Sequence, residues 1–316
     1  MKRLPNVRKR ASKMAEAKFQ EGCKGIDVEI ISYTKNPAKI AWDMLKQTWI
    51  ELHDVEYDPE NPIVREFIEG SLKKWLNPTV MEACTIQCVF KGISRVNLAQ
   101  LTRHRNWLFQ SESQMPQPVN PNIMIPLSIV NSPYYERAKA LVEESQKLYA
   151  DMVAGNDCKE TTNIPYQDAR YLLLHGQTTD ISASFTLPQL VNVSGQRLEN
   201  NTCDEINYTF RILLKKLNEA IDNDDELDEL DKLIYKTHLG NCDAFGAKAK
   251  KSFCHDDVFG NSFNRFPDGD PQVTKVTEDC KLDFKKVGWY FEMKRMLEEE
   301  PELLLPGERE MIESWE

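Results

Sequence analysis

The stretch from Thr85 to Ser113 constrains the fold more than any other, because its apolar rhythm changes period inside it. Ile86, Cys88 and Phe90 alternate with Thr85, Gln87 and Lys91, the two-residue period of a strand with one buried face. Gly92 breaks that pattern, and Ser94 stands where a helix N-cap is expected. Val96, Leu98, Ala99 and Leu101 then supply the expected inner face of a short helix. The helix runs into Arg103-His104-Arg105. Three donors that are cationic or nearly so are costly at one point unless an anion or an acidic neighbour meets them. The chain must therefore build strand and helix around one basic cluster.

Composition sharpens that reading. The 316 residues carry a formal net charge of −10, which argues against a nucleic-acid polymer as partner. An acidic protein that holds a small phosphorylated ligand needs arginines clustered against its own field, so each arginine's position carries information. No apolar run reaches membrane-spanning length. The basic start, MKRLPNVRKRASK, has no apolar core and reads as a short arm, with a transit role as the alternative. Eight cysteines without a Cys-x-x-Cys pair suit reduced thiols and a cytoplasmic location. The sequons at Asn192, Asn200 and Asn207 then carry no glycan.

Read in order, Ile26–Tyr33 is expected to form a first strand, and Asn36-Pro37 opens a helix reaching about Leu52. Ile63, Val64, Phe67, Ile68, Leu72 and Trp75 mark a second amphipathic helix. The proline-rich stretch 114–133 reads as a long irregular connection, followed by a long helix from Tyr134 to Val153. Pro165 opens a short helix carrying Arg170, and residues 181–193 lean towards strand. Thr202-Cys203-Asp204-Glu205 has capping-box form ahead of a helix carrying Ile206, Phe210, Leu213, Leu214, Leu217 and Ile221. Glu205 is assigned to that box. The acidic run 222–231 reads as a solvated face and places a boundary near residue 222. His238, Cys242, Cys254, His255 and Cys280 are too loosely spaced to suggest a metal site. Trp289, Tyr290, Phe291 and Met293 read as packing.

The motif residues carry a resemblance. Gly92-Ile93-Ser94-Arg95, Gln100, Arg103-His104-Arg105 and, after seven further residues, Ser113 resemble the signature of the flavin-dependent thymidylate synthases (ThyX). Thr79-Val80-Met81-Glu82, Ala169-Arg170, and Arg197 with the later Glu205-Ile206 resemble other anchor points of that family. IISYTKNPAKIAWDML resembles its first strand and helix. The likeness implies an α+β fold, with a mixed or antiparallel sheet flanked by helices. It implies three parts: a basic arm over 1–24, a flavin- and nucleotide-binding domain over 25–222, and a C-terminal extension over 223–316. It further implies a homotetramer with sites between subunits. Arg103, His104 and Arg105 would contact FAD, with Thr79 and Glu82 nearby. Gln100, Ser111, Ser113, Arg170 and Arg197 would hold the nucleotide, Arg197 also activating the pyrimidine. The implied reaction moves a one-carbon unit from methylenetetrahydrofolate to C5 of dUMP, with NADPH reducing the flavin and no protein nucleophile.

Several positions depart from the family pattern. Met115 stands where an arginine is usual, and Ser111 where an acid is frequent. Asn77, Ala83, Asn201 and Gly195 replace other polar positions of the family. A mispaired buried polar group costs ~1–3 kcal/mol, enough to change which ligand a pocket prefers. The departures keep open a dCMP-directed enzyme, a hydroxymethylase, and a catalytically silent paralogue that binds nucleotide or flavin.

Overall fold

The structure is a computed structural model that describes residues 17–72, 82, 84–112, 120–154, 164–198, 203–252 and 288–314. Six strands are present among them: β1 (Lys18–Glu21), β2 (Asp27–Tyr33), β3 (Thr85–Ser94), β4 (Leu108–Ser111), β5 (Asn122–Ile125) and β6 (Thr178–Thr186). The helices are α1 (Pro37–Leu45), α2 (Pro62–Gly70), α3 (Arg95–Leu101), α4 (Leu127–Val130), α5 (Tyr135–Ala154) and α6 (Tyr166–Ala169). They continue as α7 (Leu187–Arg197), α8 (Asp204–Asp222), α9 (Glu229–Ser252), α10 (Gly288–Glu299) and α11 (Glu308–Glu313). No helix among the described residues is long and apolar enough to cross a membrane.

The main sheet runs β2-β3-β6-β4, every pair antiparallel, and a small parallel pair joins β1 to β5. Ile86, Cys88 and Phe90 of β3 are fully buried, as the alternation requires. Gly92 then takes a left-handed backbone (φ 68°), and the β3–β6 register shifts between Phe90 and Ile93. A Cβ there would lie 2.9 Å from the Gly25 carbonyl oxygen, so glycine is required. The bulge turns β3 into α3.

Helix α8 buries Ile206, Phe210, Leu213, Leu214, Leu217 and Ile221 against β2 and the other helices, the face its spacing predicts. One continuous core runs from Ile26 and Val28 through the sheet to residues beyond position 222. Leu227, Leu230, Ile234 and Tyr235 belong to it, as do Tyr290 and Met293 of α10 and Ile312 of α11. Arg211 of α8 reaches Glu308 of α11 with two bonds of 2.6 and 2.7 Å, both side chains buried.

Several expectations need correction. The acidic run is a solvated face only in part: Asp222, Asp225, Glu226 and Glu229 are exposed, but Asp224 and Asp231 are buried. Asp224 accepts from Tyr33 and Lys35, Asp228 from Tyr57, and Asp231 from the Ala38 amide (2.8 Å) at the start of α1. Acids that satisfy donors of a neighbouring element are drawn inward despite their charge. Residues 114–133 are not wholly irregular, because β5 and α4 lie within them; β5 is too short to show a period. The stretch 181–193 changes from β6 to α7 at Leu187, where the Thr186 amide donates to the Gln189 side chain at 3.0 Å. The first helix ends at Leu45 and continues to Leu52 as two single 3-10 turns.

Candidate flavin and nucleotide site

The strand–helix junction is fixed by two buried polar links. The Ser94 hydroxyl caps α3 by accepting from the Asn97 amide (3.2 Å), as its position predicts. Its backbone N–H and its hydroxyl both donate to the carboxylate of Glu205, the former at 2.6 Å. Glu205 thus holds Ser94, and the capping box expected with Thr202 falls outside the described residues. Asn97 is fully buried and donates to Thr209 on α8 at 2.8 Å. The buried face of α3 is thus Asn97 and Leu101, with Val96 and Ala99 exposed, contrary to the apolar face expected. A seven-residue helix pinned by polar links need not bury every apolar residue it carries.

Helix α3 ends at Leu101 with Thr102 as its C-cap, and the triplet follows in a tight turn, with the His104 amide donating to Leu101 (3.0 Å) and the Trp107 amide to His104 (3.0 Å). Trp107 is buried and stacks on Phe185 of β6 with ring centroids 3.9 Å apart, which anchors the turn on the sheet. Arg103 and Arg105 are exposed, and neither forms an ion pair among the described residues. His104 is half-buried between them. Arg197, at the C-terminal end of α7, donates from Nε to His104 Nε2 at 3.1 Å. That bond requires a neutral imidazole with its proton on Nδ1. Burial, and then the Arg197 charge, push the His104 pKa down from 6.5 to about 4.

His104 and Arg103 of the triplet therefore lie beside Arg197, and the Arg103 charge disfavours that of Arg197. Arg103 and Arg105, without an ion pair among the described residues, suit a phosphate or pyrophosphate, and planar forks also bond carbonyl oxygens of a flavin or pyrimidine. The residues present fit FAD on that ground. Gln100 is half-buried one turn before the triplet. Ser111 is exposed at the end of β4, and Glu82 is exposed. Ser113 and Thr79 lie outside the described residues. Arg170 is exposed on the 3-10 turn Arg170–Leu172, where its charge acts on Arg95.

Arg95, in the first turn of α3, is half-buried, and its Nε has no hydrogen-bond partner among the described residues. A separate cavity of about 340 Å³, bordered by Ile123, Met124, Leu141 and Asp204, is lined by none of these arginines.

A family profile described as thymidylate synthase complementing protein matches residues 29–221. The flavin-dependent thymidylate synthase of Thermococcus onnurineus is 25% identical over 213 residues, covering 64% of this chain and 81% of the relative. That of Thermococcus kodakarensis is 28% identical over 212 residues, with 64% and 81% covered. Among solved structures, a UMP/dUMP methylase, PolB, from Streptomyces cacaoi bound with 5-Br dUMP superposes with a TM-score of 0.53 at 14% identity. It covers 69% of this chain and 97% of its own.

Proposed function

The chain belongs to the family of thymidylate synthase complementing proteins, the flavin-dependent thymidylate synthases, and on that premise we propose that it adds a one-carbon unit to C5 of dUMP with methylenetetrahydrofolate as donor. The observation that carries the proposal is the cluster of Arg103, His104, Arg105 and Arg197, whose triplet arginines have no acidic partner among the described residues. In this reading Arg103, His104 and Arg105 hold FAD, with Thr79 and Glu82 beside it. Gln100, Ser111, Ser113, Arg170 and Arg197 hold the nucleotide. When bound and reduced by NADPH, the flavin supplies the hydride that completes the methyl group.

The chain's own contribution is electrostatic. Arg197 directs a guanidinium at the pyrimidine and favours negative charge on its carbonyl oxygens, which makes C5 nucleophilic. Neutral His104 fixes that guanidinium by accepting from its Nε. Ser94 and Glu205, linked within the matched segment, hold α3 and hence the triplet in place. The proposal includes a homotetramer with sites shared between subunits, in the cytoplasm. Residues 25–222 would form the flavin and nucleotide unit, and residues 223–316 would buttress it.

The test is the absorption spectrum of the purified protein with FAD, followed by titration with dUMP and with dCMP and by turnover with a labelled one-carbon donor. The expected result is a bound-flavin spectrum perturbed by dUMP and a methylated product. A response to dCMP alone would replace dUMP by dCMP, the change for which Met115 in place of an arginine is the motive. A product heavier by one oxygen would make the enzyme a hydroxymethylase. Flavin binding without turnover on any nucleotide would overturn the enzymatic reading.

A further inference from the structure

The cavity of about 340 Å³ lies apart from the arginine cluster and joins apolar walls to an acidic end. The walls are Ile123 and Ile125 of β5, Ile129 of α4, Leu141 and Val142 of α5, and Leu174. Ile129, Leu141 and Leu174 keep much of their surface exposed, Leu141 as much as 62%, so apolar surface leads into the cavity from solvent. The carboxylates of Asp204, Glu205 and Glu292 also border it, and no lysine, arginine or histidine does among the described residues. Two of these acids are already committed. Glu205 accepts from the Ser94 amide and hydroxyl, and Glu292 accepts from the Cys23 amide at 2.8 Å and from Arg295 Nε at 2.9 Å. Asp204 meets no donor but its own backbone N–H among the described residues. Burial, and then the Glu292 charge, push its carboxyl up to about 7. Cys23 and Glu292 lie outside residues 29–221, so the cavity is completed by parts of the chain beyond the family match.

A ligand for this space needs an apolar body for the walls and a head that meets the one acid lacking a partner. An anionic head would add to three carboxylates. A hydroxyl donates one bond and leaves the charge in place, whereas an ammonium brings three donors and the opposite charge. We propose that the cavity binds an amphipathic organic amine, an alkyl- or arylalkylammonium whose head bonds Asp204 and whose body lies along β5 and α5. Its volume is at the small end of the range for small-molecule sites, about 300–1,000 Å³, which suits a single chain or ring rather than a dinucleotide. The site is separate from the flavin and nucleotide reading, because no residue assigned there borders the cavity.

Calorimetric titration of the full chain with octylamine, 1-octanol and octanoate compares three heads on one body. Octylamine should bind about ten-fold more tightly than 1-octanol or better, since a charge-assisted bond exceeds a neutral one, and octanoate should not bind. Asp204→Asn keeps the shape and removes the charge, so it should bring octylamine down to the level of 1-octanol. Ala138→Phe, on the α5 wall and away from the acids, fills the cavity and should abolish binding of both. The comparison of heads on the wild type needs no variant and stands even where one fails to fold. Equal affinity for octylamine and 1-octanol in the wild type, or an amine preference that survives Asp204→Asn, would overturn the amine assignment. Binding of none of the three, or unchanged octylamine binding in Ala138→Phe, would overturn the site itself.

Discussion

Arg197 and His104, 93 positions apart in the chain, share a hydrogen bond of 3.1 Å in which the arginine donates to the imidazole. The bond sets the tautomer of the histidine and the direction of the guanidinium together. It can exist only while His104 is neutral.

The first prediction follows from that protonation state. The pKa of His104 falls from 6.5 in the unfolded chain to about 4 in the folded one. Between these values the unfolded state binds more protons, so stability rises with pH there. The contribution is complete above pH 6.5 and is lost as pH falls towards about 4. In His104→Gln, denaturation curves recorded across this window should show a shallower loss of stability than wild type.

Arg197→Ala should leave flavin bound and remove turnover. Deleting one preorganised donor aimed at developing charge costs ~10²–10³ in kcat. Single-turnover assays with the flavin spectrum recorded in parallel separate the two effects. Lost flavin together with lost turnover would assign Arg197 to the cofactor instead.

Glu205→Ala should destabilise the fold, because the Ser94 amide and hydroxyl both lose their acceptor. Each orphaned buried donor costs ~1–3 kcal/mol. Urea denaturation measures the loss, and Glu205→Gln, which keeps one acceptor oxygen, should fall between.

Arg211→Met leaves the buried Glu308 carboxylate without its cation, and breaking such a pair from one side costs ~3–5 kcal/mol. Replacing both, as Arg211→Met with Glu308→Leu, should recover most of that. Equal stability of the single and double variants in urea would sink the argument.

Gly92→Ala forces a side chain into a left-handed conformation (φ 68°) against the Gly25 carbonyl. A loss of ~1–3 kcal/mol is expected, visible as a lower melting temperature.

The sequence made some of this legible and hid the rest for identifiable reasons. β3, the cap at Ser94, the triplet and the buried stripe of α8 were readable because each is a local pattern of period or spacing. The joining of Arg197 to His104 was not legible, since neither residue carries a local sign of the other; resemblance assigned one to the nucleotide and the other to the flavin. The bond of Glu205 to Ser94 was hidden because its partner lies 111 positions away. Asp224 and Asp231 were misread for the same reason, as their donors lie on β2, the residues after it and α1. Charge density in one dimension says little about burial when the partners come from elsewhere in the chain.

The contacts of α10 with the start of the fold bear on how the molecule assembles. The Cys23 amide donates to Glu292 at 2.8 Å, and Lys24 pairs with Glu299, closing separations of 269 and 275 positions. Loop entropy must be spent before such contacts return any energy, so they form late and slowly. Until they do, Arg211 lacks Glu308, and the core exposes the faces that later take Tyr290, Met293 and Ile312. The last step of assembly is therefore a search by a distant segment for a nearly finished surface. During that search the chain is most open to aggregation and to capture of the same segment from a neighbouring molecule.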